Sequence, residues 1–431
     1  MPGALRYLRA VGEPFSPTRR AWLRIVGAGA ATIAIGCGDN GAGGDAAAAV
    51  FEPTSSGFLV SVWARTAREA TIAIGRGGAV TTQIVRLGDG GCGVLDVGGL
   101  DADTIYDVVV IANGAQTNPL RVRTAPRDDD TRSVRLAVAA DVDPSPEFDS
   151  DLVDHVVAAK PDLLVTLGDF PYTDNGPPAM TLAAYRERHV ECRTFARVRT
   201  LLDAMPVRAI YDDHEFRNNW DTARAATEAE RYAAAIQTWD EFFPLRDAVG
   251  EVRYRKFRHG ANVECFVLDC RRFRSQNEAP DIPGKTMLGD TQRRWLFDGL
   301  AASTATFKLV FTSVPLDFGE PDGWTGFVSE RAQLFDAVVD IPGVLFMSAD
   351  QHYFAAHRHR YGIREFQIGP LCRGLGTFGT NGPGVLFRDK RYNVGLVDIT
   401  RDHITVTGLG AGGDRFYNET LSLEDLTPRR A

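Results

Sequence analysis

Cysteine is scarce in this chain: there are six in 431 residues, none in a Cys-x-x-Cys pair. That pattern supplies neither a zinc knuckle nor a disulfide framework. Positive charge is also short, with 48 Lys and Arg against 56 Asp and Glu and a formal charge of −8. Counterion-driven binding to a nucleic-acid scaffold needs a clustered basic surface, so that class of partner is excluded. There are no tandem repeats and no long low-complexity tract. The apolar run from Ala21 to Gly36 is too short to read as a membrane span. No glycine-rich loop is followed by Lys-Ser/Thr and a helix, which removes a P-loop phosphate cradle. What remains is an ordinary soluble composition, long enough for two domains.

The N-terminus reads as an address rather than as fold. In "TRRAWLRIVGAGAATIAIGCG", Thr18-Arg19-Arg20 precede an apolar run with no charged face between Val26 and Cys37, unlike an amphipathic helix. The stretch resembles a twin-arginine export signal. Its end, "AIGC", resembles a bacterial lipobox with Ala34 where Leu is usual, so Cys37 is the expected lipidation site. The expected location is the periplasm, or the membrane surface through that lipid alone. Twin-arginine export carries folded proteins, often with metal already loaded. Excluding Cys37, Cys92, Cys192, Cys265, Cys270 and Cys372 remain. Cys265 and Cys270 fall on opposite faces of an apparent strand and do not pair with each other, while a bridge involving Cys192 or Cys372 stays open.

Residues 1–37 are thus the signal, and the small-residue stretch 38–50 reads as a flexible tether with nothing to bury. From Phe51 to Pro126, short alternating runs punctuated by Gly and Asp predict a small all-β sandwich. "LDADTIYDVVV" with "VRTAP" resembles the closing strands of a fibronectin type III-like domain, with Tyr106 at the position that anchors the preceding loop. This unit carries no catalytic cluster and reads as a spacer or substrate-shaping module. After the charged linker "PRDDDTRS" the pattern becomes βαβ from residue 133 to 421, with 422–431 as a tail. "VRLAVAAD", "PDLLVTLGD", "PVRAIYDDHE", "ANVECFVLD", "TFKLVFTSVP" and "PGVLFMSAD" are near-continuous apolar runs. Strands of that kind are buried on both faces, so helices must cover the sheets and the fold class is α/β.

These strands share a property that periodicity does not require. They end on ligand-type side chains: Asp141 and Asp143, Asp169, Asp213 with His214, Ser313, and Asp350 with His352. Carboxyl ends of strands in open α/β sheets form the binding crevice, so these groups should converge. Converging carboxylates repel and raise one another's pKa unless a cation is present, which points to metal.

The order and spacing resemble the calcineurin-like metallophosphatase superfamily. "GDFPY", "YDDHEFRNNW" and "SADQH", together with "AAYRERH", "LDCRRFR" and "TMLGDTQRRWL", resemble its PhoD-like alkaline phosphatase/phosphodiesterase branch, from about Arg135 to Ile399. The resemblance implies a metallophosphatase-like sandwich of mixed sheets flanked by helices. It implies that Asp169 bridges two metals, that Asp141, Tyr172 and His352 complete one site, and that Asp213 and Asp350 complete the other. His214 is implied as proton donor or transition-state stabiliser. Two departures stand out: Ala140 occupies a place where relatives often carry Cys, and the superfamily's fourth-motif His falls at Ser313 or Val314.

The donor set can also be read chemically. Asp141, Asp169, Tyr172 and His352 offer three anionic oxygens and suit ferric iron, whereas Asp169, Asp213 and Asp350 offer only oxygen and suit calcium, magnesium or manganese. The expectation is a dinuclear centre of iron plus calcium in a phosphoester hydrolase, acting on a phosphodiester or a phosphomonoester. The other readings are a cell-surface binding protein with a structural metal centre and a monoesterase like purple acid phosphatase. Arg217, Asn218, Arg271 and Arg274 follow the strand ends and are candidates for non-bridging phosphoryl oxygens on position alone. Against all this stands a capping role: Asp141, Asp143, Asp212 and Asp213 could each cap a following helix. Asp143 remains either a second ligand of the first motif or a cap. His357 and His359 read as exposed, His155 and His189 as helical and non-catalytic, and His259 and His403 as turn residues. "GLGTFGTNGPG" reads as a rim loop.

Overall fold

The computed structural model describes Tyr7–Leu8 and residues 46–246, 252–378 and 384–430. Arg19, Arg20, Ala34 and Cys37 lie outside the described residues. Two sheets stack face to face and helices cover both outer surfaces. One sheet has nine strands, in the order Arg415–Ser422, His403–Gly410, Asn393–Ile399, Val134–Ala139, Leu163–Thr166, Val207–Ala209, Ala46–Thr54, Gly57–Ala64 and Cys92–Val97. The other has seven, in the order Arg255–Arg258, Val263–Val267, Phe307–Phe311, Val344–Ser348, Arg364–Gln367, Phe354–Arg358 and Val385–Asp389.

The period-2 pattern explains the layering. In Val134–Ala139, Leu136 and Val138 face the second sheet while Ala137 and Ala139 face helices. In Val263–Val267, Cys265 and Val267 point to the inter-sheet core and Phe266 to the opposite helices. Helices Leu152–Ala158, Leu182–Thr194, Ala196–Ala204 and Ala229–Phe242 cover the first sheet, and Gly289–Ala302 and Val328–Ala337 cover the second. Burying both faces of a strand demands apolar residues at every position, hence the unbroken runs. Among the described residues no helix is long and apolar enough to cross a membrane.

The small sandwich is built differently from a bead on a string. Ala46–Thr54, Gly57–Ala64 and Cys92–Val97 pack against a sheet of Tyr7–Leu8, Ala79–Arg86, Glu69–Arg76, Ile105–Ala112, Ala115–Gln116 and Leu120–Arg123. Its Tyr106 hydroxyl accepts from the Asp101 backbone N–H at 3.0 Å, anchoring the preceding loop. Yet Ala46–Thr54 also pairs in parallel with Val207–Ala209 through Phe51 and Val207, so one sheet runs through both units. Beside that joint, Glu52 is buried with Arg208 and with Arg255, the latter at 2.6 Å.

Several expectations need correcting. Residues 46–50 belong to the first of these strands, not to a tether, because Ala49 and Val50 are buried at its two faces. The C-terminal stretch is not a loose tail. Leu426 is buried in the inter-sheet core, and its carbonyl and that of Pro428 accept from Val344 and Asp340. His357 and His359 are not exposed: His357 stacks on Phe318 with ring centres 3.7 Å apart, and His359 Nε2 lies 2.6 Å from the buried Glu365 carboxylate. The strand carrying His357 is an inner one, and a loop folds over it. Among the described residues, Cys92, Cys192, Cys265, Cys270 and Cys372 form no disulfide.

Candidate metal centre and active site

Val134–Ala139, Leu163–Thr166 and Val207–Ala209 run parallel, as do Val263–Val267, Phe307–Phe311, Val344–Ser348 and Arg364–Gln367. Their carboxyl ends open at one edge of the sandwich and deliver the acidic side chains there. Ligand-capable atoms of Asp141, Asp169 and His352 lie within 4.8 Å of one another. The same holds for Asp169, Asp213 and His214, and for Asp212, Asp213 and Asp350. Asp141, Asp169 and Asp213 are almost fully buried.

The backbone is strained where these groups meet. Asp141, Asp169, Asp350 and His352 adopt φ of +57°, +55°, +77° and +56°, each of a kind that costs roughly 1–3 kcal/mol and persists where the surroundings over-determine it. Two glycines make the approach possible. A Cβ on Gly168 (φ +107°) would lie 2.5 Å from Asp212, and one on Gly369 (φ +106°) would lie 2.2 Å from Asp141 Oδ2.

The hydrogen bonds define which atoms remain for a cation. His352 Nδ1 lies 2.6 Å from the Gly374 carbonyl, which only accepts, so the proton sits on Nδ1 and Nε2 keeps its lone pair. Burial holds this imidazole down at about 4, so it is neutral. Tyr172 Oη is 2.8 Å from His352 Nε2, and Asp141 Oδ1 is 3.8 Å from the same nitrogen. Both Asp141 oxygens and Asp213 Oδ1 are buried without a hydrogen-bond partner among the described residues. Burial pushes Asp141, Asp169 and Asp350 well above the usual carboxylate range, and neighbouring carboxylates push further. Orphaned oxygens at that cost fit a site built for cations, because a bound metal reverses the electrostatics. The donors therefore suit the implied group.

Asp212 falls outside that donor set. Arg271 clamps it with two bonds of 2.7 and 2.9 Å, and Ser313 Oγ donates to it at 2.6 Å. Thus Ser313, at the missing fourth-motif histidine, serves Asp212. Asp213 faces Asp169 on one side and Asp350 on the other, and its carboxyl is lowered: burial opposes this, but Arg271 and His214 outweigh it. The absent cysteine at Ala140 is not replaced by Cys372, which packs among the helix-side core residues.

His214 faces the cluster from the first sheet. Its Nδ1 lies 2.6 Å from Asp174 Oδ1 and its ring leans on Tyr172 at a tilt of 33° with centres 4.2 Å apart. Burial alone would lower it; Asp213, together with the Asp174 hydrogen bond and charge, brings it up to about 9. A protonated imidazole with Nδ1 spent on Asp174 keeps Nε2–H as its remaining donor. Glu215 ties the two loops together, accepting from Phe170 N at 2.9 Å and Asp212 N at 3.0 Å.

The capping alternative does not survive. The helix after Asp141 starts at Leu152 with Asp151 before it, and the helix after Asp213 is capped by Asp221, which accepts from Arg224 N. Asp143 is neither cap nor cluster member; it accepts from Asn175 Nδ2 at 2.6 Å. Of the four positional candidates for phosphoryl contacts, the three arginines are engaged by protein groups. Arg217 pairs with Glu228. Arg274 is buried and donates to the Cys270 and Asp322 carbonyls. Arg271 is buried among Asp212, Asp213, Asp322 and Asp350. Asn218 is exposed, and its neighbour Asn219 turns inward to donate its backbone N–H to Asp213 at 2.5 Å. Of the residues sequence reasoning missed, only Asp174 carried a signal, five positions after the Gly-Asp motif. A cavity of about 800 Å³ between Cys92–Val97 and Ala229–Phe242 brings no such convergence; its Arg253 is paired with Asp240.

Stacked sheets with acidic strand ends at one edge define a metallophosphatase-type α/β sandwich. The PhoD-like phosphatase family matches residues 148–374, more than half of the chain, and the chain belongs to that family. Alkaline phosphatase D of Bacillus subtilis (strain 168) is 28% identical over 246 residues. That match covers 46% of this chain and 42% of the relative, so the chain spans about two fifths of the length of the curated protein it matches. Among solved structures, one of PhoD superposes with a TM-score of 0.74 at 19% identity, covering 87% of this chain and 88% of the other. A purple acid phosphatase from yellow lupin (Lupinus luteus) superposes with a TM-score of 0.66 at 11% identity, covering 88% of this chain and 75% of the other. Both likenesses speak for the fold.

Proposed function

We propose that this chain is an exported, metal-dependent hydrolase of phosphoesters that works with two cations. The observation that carries the reading is the set of buried carboxylate oxygens of Asp141 and Asp213 left without partners at converging strand ends. Asp141, Asp169, Tyr172 and His352 would hold one cation, with ferric iron suited to three anionic oxygens, and Asp169, Asp213 and Asp350 would hold the other, with calcium suited to oxygen alone. Held there, two such cations would lower the pKa of a shared water and neutralise charge on the phosphoryl group.

The chain's own residues do the rest. Asp169 lies in the first two clusters and ties the sites to one geometry. His352 is locked in one tautomer by Gly374, so its Nε2 is presented without reorganisation. His214, held as a cation by Asp213 and Asp174, donates a proton or a charged hydrogen bond to the departing oxygen. Such a group contributes about 10²–10⁴-fold. Strain at Asp141, Asp169 and Asp350 fixes the carboxylates before substrate arrives. Export, and attachment through Cys37, rest on the twin-arginine and lipobox pattern at residues 18–37.

The test is hydrolysis of bis-p-nitrophenyl phosphate and p-nitrophenyl phosphate by protein purified from its export route, with elemental analysis of the same sample. Turnover is expected in the wild type, to vanish on chelation and in Asp169→Asn, and to fall about 10²–10⁴-fold in His214→Ala. Full turnover in both variants, or none in metal-replete wild type, overturns the reading. The ratio of diester to monoester rates separates a phosphodiesterase from a monoesterase of purple acid type.

A further inference from the structure

Among the three candidate arginines, Arg271 and Arg274 are buried and Arg217 pairs with Glu228, while a fourth arginine stands beside the ligand cluster. We infer that Arg373 is the residue that grips a non-bridging phosphoryl oxygen of the ester, an inference that rests on the hydrolase reading above.

The segment carrying it is stitched to the metal-ligand loop. Leu371 N donates to the Ala140 carbonyl and Cys372 N to that of Asp141, while Asp143 N donates back to Cys372. The next residue, Gly374, supplies the carbonyl that holds His352. Arg373 is therefore fixed within one residue of contacts to ligands of both sheets. Its guanidinium carbon lies 4.7 Å from the Tyr172 ring centre and 5.5 Å from that of Phe148. Two aromatic faces orient the planar group while leaving its edge donors for other partners.

Among the described residues those partners are few. Nη2 donates to Asn175 Oδ1 at 3.2 Å, and Nε is buried, 3.6 Å from Asp143 Oδ2, without a hydrogen bond. The side chain is about a quarter exposed, with a relative accessibility of 26%. Arg271, by contrast, is wholly buried and spent on carboxylates. A guanidinium that is positioned, half-satisfied and open to solvent beside a ligand tyrosine is arranged to take an anion. Asp143, which the sequence left as either a second ligand of the first motif or a cap, acts here with Asn175 to position that guanidinium.

The experiment compares Arg373→Gln, which keeps a polar stem against Tyr172, with Arg373→Lys, which keeps the charge. Losing a charge-assisted bond of this kind corresponds to about a 10–100-fold loss. The Gln variant is expected to raise KM about 10–100-fold for p-nitrophenyl phosphate, with kcat within about threefold and metal content unchanged. Calorimetric titration with inorganic phosphate is expected to show the same loss of affinity, and the Lys variant to recover most of it. A Gln variant with wild-type KM and phosphate affinity overturns the inference, as does a fall in kcat or metal content at constant KM, which is what a purely structural role would give. Absence of turnover in the wild type is a separate outcome, and it refutes the hydrolase reading instead.

Discussion

Asp141 pays its cost twice, once in backbone strain and once in two buried oxygens with no partner. Gly369 is the residue that permits it, since any side chain there would enter the space of Asp141 Oδ2. Gly369→Ala is therefore expected to displace Asp141 and lower metal occupancy at the first site, measurable as metal per chain, while a left-handed φ of +106° adds strain of its own. Tyr172 gives a second readout at this scale. With ferric iron bound, its phenolate should produce a visible charge-transfer band that Tyr172→Phe abolishes; iron-replete, colourless wild type would exclude Tyr172 as ligand. Individual roles of this kind were only partly legible in the sequence. The acidic candidates and His352 could be read from their places after strands, Tyr172 only from the resemblance. Which arginine faced the crevice could not, because Arg271, Arg274 and Arg373 differ in partners rather than in local pattern.

Strands and their junctions decide how those residues are held. The joint between Ala46–Thr54 and Val207–Ala209 is secured by Glu52, buried with Arg208 and Arg255. Burial raises the Glu52 carboxyl, but Arg208 and Arg255 outweigh it, so its folded pKa lies below the ordinary 4.5. A depressed carboxylate contributes stability that is complete above 4.5 and lost as pH falls through the lower folded value. Glu52→Gln should cost about 3–5 kcal/mol at neutral pH, because two guanidinium groups lose their buried partner. It should also flatten the decline of stability below pH 4.5; urea unfolding at pH 7 and pH 4 tests both. The alternating pattern revealed most strands of the small unit and the apolar runs six strands of the larger one, but not its later strands such as Asn393–Ile399 and His403–Gly410. It gave no sign that Ala46 to Val50 form one, since a run of alanines resembles a tether until a neighbouring sheet covers it.

The whole molecule is joined through that shared nine-stranded sheet and by the C-terminal stretch, whose Leu426 enters the core between the sheets. Calorimetry of the metal-free protein is accordingly expected to show one cooperative transition; two well-separated transitions would mean that the small sandwich unfolds by itself. Hydrophobic periodicity, turn punctuation and acidic strand ends are local quantities, so the chain alone determined its α/β class, many of its strands and the acidic residues that follow them. Partner choice is not local. Whether Asp212 serves a metal or Arg271, whether His357 meets solvent or Phe318, and which guanidinium stays open are decided when segments far apart in the chain compete for the same buried space. Only the packed tertiary structure settles that competition, through desolvation and charge.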